Sequence, residues 1–136
     1  MLNEAYTFYR PGKDITCKAA VDLTGKRVVQ ITANRSGGGI TPTTSNTDLQ
    51  SLYVVGAPTA GGRVFGVVGY DVKAGQVVPI KRDGVIACTA SGAIAAFAEV
   101  EARTDGKIQT KASGAAIGVV LNGCADAADA ELLLYN

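Results

Sequence analysis

The 136-residue chain has no histidine and no tryptophan, one methionine, three cysteines and four prolines. Without histidine, the Ser-His-Asp and Cys-His arrangements of nucleophilic catalysis are excluded, along with most catalytic zinc centres, which need imidazole as base or ligand. The three cysteines, Cys17, Cys88 and Cys124, are odd in number, widely spaced and not in a CxxC pair. They read as small buried apolar residues in a reducing compartment. Charge of one sign is also missing: 13 Lys+Arg against 12 Asp+Glu give a net +1. A basic footprint for nucleic acid would need a clear excess on one face, so no nucleic-acid partner is expected. Long hydrophobic runs are absent too. The most apolar stretch, "VIACTASGAIAAFA", falls short of the roughly 18 apolar residues of a membrane span. The start, "MLNEAYTFYRPGKD", has no basic leader followed by an apolar stretch and does not read as a signal peptide. A soluble protein folded in cytoplasm, with no membrane partner and no cofactor, is expected.

What the chain does have is small apolar residues and turn formers. Hydrophobic residues make up 47 % and glycines number 17, a composition that suits short strands and tight turns rather than disorder. Residues 1–14 form a candidate N-terminal arm. Tyr6, Phe8 and Tyr9 cluster there, and Arg10-Pro11-Gly12 rules out a helix, because proline fixes φ and lacks an N–H. Such an arm either packs on its own body or lies on a neighbour. "DITCKAAVDLTGKRVVQITA" reads as a first hairpin-like unit. Residues 34–50, "NRSGGGITPTTSNTDLQ", read as a long flexible loop. They lack the Gly-Lys-Ser/Thr ending of a phosphate loop.

Strand candidates follow in "SLYVVGAP", "RVFGVVGYDV" and "AGQVVPIKR". Asp83-Gly84 and Asp105-Gly106 each read as a hairpin turn, since such turns need positive φ and glycine supplies it without strain. "SGAIAAFAEVEAR" reads as a loop or single helical turn running into a strand, with Glu99 and Glu101 on one exposed strand face. "AIGVV" and "ELLLY" close the chain as strands. A phrase recurs: Gly66-Val67-Val68 matches Gly118-Val119-Val120, and "AGQVVPI" matches "ADAELLL" with two extra residues in the second copy. The mid-strand glycines Gly66 and Gly118 read as bends where another backbone comes close. Gly84 and Gly106 complete the set of structural glycines. Many short strands with no long helix between them argue an all-β fold, a small barrel or sandwich-like body with at most one short helix. The expected organisation is an arm, residues 1–14, followed by a single β-rich domain, residues 15–136.

Chemistry is hard to place on this chain. The pair Glu99 and Glu101 is better read as a polar strand face than as a hydrolytic carboxylate pair. Asp126, Asp129 and Glu131 lack the ligand ladder of an EF-hand calcium loop. Lys81 and Arg82 read as solvated strand-end charges rather than activators of a Cys88 nucleophile. The "DVKAGQVV" phrase resembles the turn of lipoyl and biotinyl carrier barrels, which makes a small-molecule-carrying or small-molecule-binding module the alternative reading. The Met-Lys-Met or Asp-Lys-Ala tip of a carrier is not found.

Taken together, "YRPGKDITCKAAVDLTGKRVVQI", "GVVGYDVKAGQVVPIKRDGVIACTASGAI" and "AIGVVLNGCADAADAELLLY" resemble the small capsid decoration, or cement, proteins of tailed bacteriophages. The resemblance covers most of the chain. It implies a non-enzymatic virion protein on the outer surface of the mature capsid, assembled in the host cytoplasm and often trimeric. Such a protein clamps neighbouring major capsid subunits through modest contacts repeated by symmetry. It also implies a role for the arm, with Tyr6, Phe8, Tyr9, Arg10 and Pro11 as the residues that contact the capsid or a neighbour.

Overall fold

The computed structural model describes residues 14–34 and 52–135. The candidate arm up to residue 13, with its five named residues, and residues 35–51 of the candidate loop lie outside the described residues. Among the described residues there are ten strands and no helix. The all-β reading holds, and "SGAIAAFAEVEAR" forms no helical turn.

The strands fall into two five-stranded units. In the first, β1 (Ile15–Ala19), β2 (Val28–Ala33), β3 (Tyr53–Gly56), β4 (Gly66–Val68) and β5 (Val77–Lys81) close a barrel in the order β1-β3-β2-β4-β5. In the second, β6 (Val85–Thr89), β7 (Glu99–Ala102), β8 (Ile108–Thr110), β9 (Gly118–Val120) and β10 (Asp129–Leu134) follow the order β6-β10-β9-β7-β8. The two orders are the same arrangement. β1 pairs parallel to β3 and antiparallel to β5. β6 meets β8 in a single parallel bridge, Ala90 to Ile108, and pairs antiparallel to β10.

The correspondence extends to individual hydrogen bonds. Leu23 and Val72 exchange backbone bonds as Ile94 and Cys124 do. Ala19 N donates to Gln76 O as Ala90 N does to Ala128 O, and Lys26 N donates to Val68 O as Phe97 N does to Val120 O. The non-glycine residues with positive φ obey the same symmetry: Lys26 (62°) matches Phe97 (65°), and Ala127 (63°) matches Gly75 (86°). The repeated phrase is therefore real, but its copies align without a gap. The chain from Gly66 to Gly75 is as long as that from Gly118 to Ala127, so the two extra residues expected in the second copy do not exist.

Two expected hairpins are absent. β1 and β2 are not neighbours, because β3 lies between them. β5 and β6 belong to different units, so Asp83-Gly84 joins the units instead of turning a hairpin. The second signal does turn one: around Asp105-Gly106, β7 pairs antiparallel with β8, and Ala102 faces Ile108.

Burial alternates along the strands, as β10 illustrates: Ala130, Leu132 and Leu134 point inward while Asp129, Glu131 and Leu133 point out. Cys17, Val29, Val68, Val78 and Ile80 fill the barrel, and their counterparts Cys88, Val100, Val120, Ala130 and Leu132 lie in the core of the second unit, a five-stranded sheet. Val28 and Val67, however, sit in the second unit's core. They face out of the barrel and are 1 % exposed. Around them Thr89 N donates to Lys26 O at 2.8 Å, and Val28 N donates to Gly106 O at 2.8 Å. The start of β2 thus takes up backbone groups of the second unit at both β6 and the β7–β8 turn, where that unit's own β6–β8 contact is a single bridge.

Candidate functional site

The buried chemistry of the described residues is structural. Burial pushes the Cys17 thiol up to about 12. It does the same to Cys88, with the nearby Asp129 carboxylate adding to the rise and Arg27 opposing it. Neither is a thiolate at neutral pH, so neither is a nucleophile.

Glu101 is the one buried charged side chain among the described residues, 4 % exposed. Sequence alternation places it with Glu99 on an exposed face. The two do point to the same side of β7, but the segment 111–114 folds over Glu101. Gln109 Nε2 donates to Oε1 at 2.9 Å, Ala112 N to Oε1 at 3.2 Å and Gly114 N to Oε2 at 2.6 Å. The bond from Gln109 does most to hold this carboxyl below its ordinary range. Desolvation opposes it, and the two backbone donors and Lys111 assist. Gly114 packs against Gly61 and the Glu101 carboxylate so closely that a Cβ there would overlap both. Glu101 lines an open cleft of about 480 Å3 with Gly61, Arg103, Gln109 and Ser113. Three donors occupy its oxygens, so it acts as a clamp between β8 and the 111–114 loop rather than as a general base.

The other carboxylates singled out from the sequence are scattered over different partners. Glu99 Oε2 accepts from the Tyr135 hydroxyl at 2.9 Å, which raises that phenol's pKa. Asp126 Oδ1 accepts from Gly92 N at 2.7 Å, and Asp129 pairs with Lys26 at 2.7 Å across the two units. Lys81 pairs with Asp14 at 3.1 Å. Arg82 is not a free strand-end charge: its Nε donates to Phe65 O at 2.8 Å, and its guanidinium lies 4.8 Å from the Phe65 ring centroid. Lys73, the lysine of the carrier-like turn, stands 3.7 Å from Asp22.

The structural glycines occupy four different settings. At Gly66 a Cβ would press on Ile80 and the Lys81 carbonyl; at Gly118 it would overlap the Leu133 carbonyl. Gly106 has φ +84° and lies against Arg27 and Val28, and Gly84 has φ +79° in open space.

What sequence reasoning missed is a row on the outer face of the second unit with exposed apolar residues around a buried Val119. Val85 pairs with Leu133, Leu133 with Val119 and Val119 with Glu99, so these four stand side by side on the outer face. Val85 is 52 % exposed, Leu133 37 %, and the adjoining Leu121 and Tyr135 43 % and 49 %, whereas Val119 between them is buried at 7 % and Glu99 ends the row with a charge. A signal existed in "ELLLY": three consecutive leucines in a strand must place one of them outward.

The described residues thus form a closed five-stranded barrel and a second five-stranded sheet of the same strand order, with Cys17 and Cys88 buried, Cys124 partly buried, and Glu101 tied to the 111–114 loop. The chain belongs to the phage cement protein family, whose model matches residues 10–134. No curated protein matches it in sequence. Among solved structures, the head fiber gp8.5 N base in bacteriophage phi29 is similar, with a TM-score of 0.67 over 90 % of this chain and 92 % of that one. At 12 % identity that likeness concerns the fold. Family membership gives the chain a capsid-associated structural role in the virion.

Proposed function

We propose that this protein binds the outer surface of the mature phage head, contacts major capsid subunits and stabilises their junctions, as a homotrimer on the lattice. Assembly takes place in the host cytoplasm, and no catalysis, cofactor, membrane or direct nucleic-acid contact is involved. The observation that carries this reading is the family match, which begins at Arg10 and so takes in the end of the arm. The body supports it physically: a barrel interlocked with a second five-stranded sheet can transmit load between subunits without rearranging. Trimeric repetition would turn a modest contact per copy into tight lattice binding.

The arm, residues 1–14, is the proposed contact element ahead of the body. Tyr6, Phe8 and Tyr9 bury apolar area on a neighbour, Arg10 meets a carboxylate or carbonyl there, and Pro11 limits the entropy lost on ordering. The test is binding of the purified protein to expanded heads lacking it, measured as copies bound per head. Deleting residues 1–10 is expected to leave the body folded and lower occupancy. Unchanged occupancy would remove the arm from the contact, and no binding by the full chain would sink the reading.

A further inference from the structure

The outer row of the second unit differs from its counterpart in the first in a way that calls for a covering segment. In the first unit the equivalent positions are Asp14, Lys81, Val67 and Val28. The first two form an ion pair at 3.1 Å, and the last two are buried in the second unit. In the second unit the ion pair is replaced by Val85 and Leu133, with Leu121 and Tyr135 beside them, all exposed. A row of this kind is a patch on the order of 400 Å2, about half of the ~800 Å2 that each partner gives to a standard protein interface. It is the size for one extended segment rather than for the face of a folded partner.

We propose that in the free protein the row is the docking site of the chain's own residues 6–10. Three observations converge on that occupant. The first is reach. Asp14 is held at Lys81, and Val85 lies four residues beyond Lys81, at most about 14 Å of chain. The exposed apolar residues then run from Val85 on β6 across Leu133 on β10 to Leu121 just past β9, about another 10 Å at ordinary strand spacing. Tyr9 and Tyr6 stand five and eight residues before Asp14, extended spans of about 17 and 27 Å, so the aromatic cluster falls along the row. The second is chemistry: Tyr6, Phe8 and Tyr9 offer apolar rings with polar tips, which suit a surface that is apolar but open to water. The third is charge. Glu131 faces outward two residues before Leu133 and has no ion pair among the described residues, while Arg10 supplies a cation next to the rings. The docking concerns the free chain and stands independently of the capsid reading. If both hold, the lattice competes with the row for the same residues.

The chain has no tryptophan, so Phe8→Trp places a unique reporter in the arm. Docking predicts a blue-shifted emission and acrylamide quenching several-fold weaker than for the free indole, independent of protein concentration. Adding Leu133→Asp on the exposed face is expected to shift the emission red and restore full quenching, while urea unfolding of the body stays unchanged. Full quenching before that substitution, or protection that survives it, would overturn the proposal. Protection that grows with protein concentration would also overturn it, by moving the arm to a second copy.

Discussion

The two units share strand order, turn geometry and even the positions of residues with positive φ, yet only the first closes into a barrel. The first closes on itself, with β1 and β3 paired in parallel at Cys17–Tyr53, Lys18–Val54 and Ala19–Val55. The second has one bridge at the matching place, Ala90 to Ile108, and receives Val28 and Val67 from the first unit into its core. The difference explains why equivalent outward positions carry opposite residues. Val28 corresponds to Glu99, one in a core and the other in solvent. Duplicated architecture is kept where backbone hydrogen bonds demand it and abandoned where one unit has a neighbour and the other does not.

Exchanging those two residues is the strongest way to break the comparison. Val28→Glu places an unpaired charge in the second unit's core and is expected to cost about 3–5 kcal/mol, read by urea unfolding. Glu99→Val, the reverse swap at the exposed position, is expected to leave stability nearly unchanged. Equal losses from both would mean that the units are not interlocked as described.

Next come the glycines. Gly118→Ala drives a methyl into the Leu133 carbonyl and is expected to cost about 1–3 kcal/mol as overpacking. Gly84→Ala meets open space but keeps φ at +79°, so only the left-handed backbone cost of about 1–2 kcal/mol applies. Thermal melts of the pair separate steric from conformational reasons for glycine.

Glu101 sharpens the comparison in another way, because the first unit has Gln30 at its place. Its carboxyl titrates below the ordinary glutamate value of 4.5 in the folded chain. The stabilisation it gives is therefore complete above about pH 4.5 and disappears as pH falls through the lowered folded value. Glu101→Gln is expected to flatten the acid limb of the stability–pH curve and to speed amide exchange at Ala112 and Gly114. Superimposable acid limbs would contradict the clamp. The smallest effect is expected at Lys81→Ala, whose ion pair with Asp14 has both side chains nearly half exposed. Such pairs contribute about 0.2–1 kcal/mol, and less at high salt.

How much of this was legible depends on the range of the interaction. Alternation in "FAEVEART" and "KIQTK" and the glycine of Asp105-Gly106 are local, and they identify the β7–β8 hairpin correctly. The same dipeptide at Asp83-Gly84 has the same local geometry, φ +79°, but pairing partners are chosen by distant strands, so it joins two units. The parallel β1–β3 pair left no trace, since its partners are far apart in sequence and periodicity carries no partner information. The repeat was visible through Gly66 and Gly118 but misaligned. Ala127 holds the left-handed conformation that Gly75 holds in the first copy, and alanine gives no sign of it. The burial of Glu101 was hidden for a related reason: alternation gives the side of the strand, whereas a loop some ten residues later decides whether that side is wet. The residues assigned to the arm rest on composition and resemblance, and the binding experiments address them directly.

The proposed role, a barrel and an interlocked sheet acting as cement on the outside of a phage head, has one decisive test. Cryo-microscopy of virions with and without the chain tests it most directly. Difference density on the outer capsid surface, fitting a five-stranded barrel with its interlocked five-stranded sheet and bridging adjacent major capsid subunits, is the predicted result. Heads with no outer difference density, or with the density confined to the interior, would contradict it.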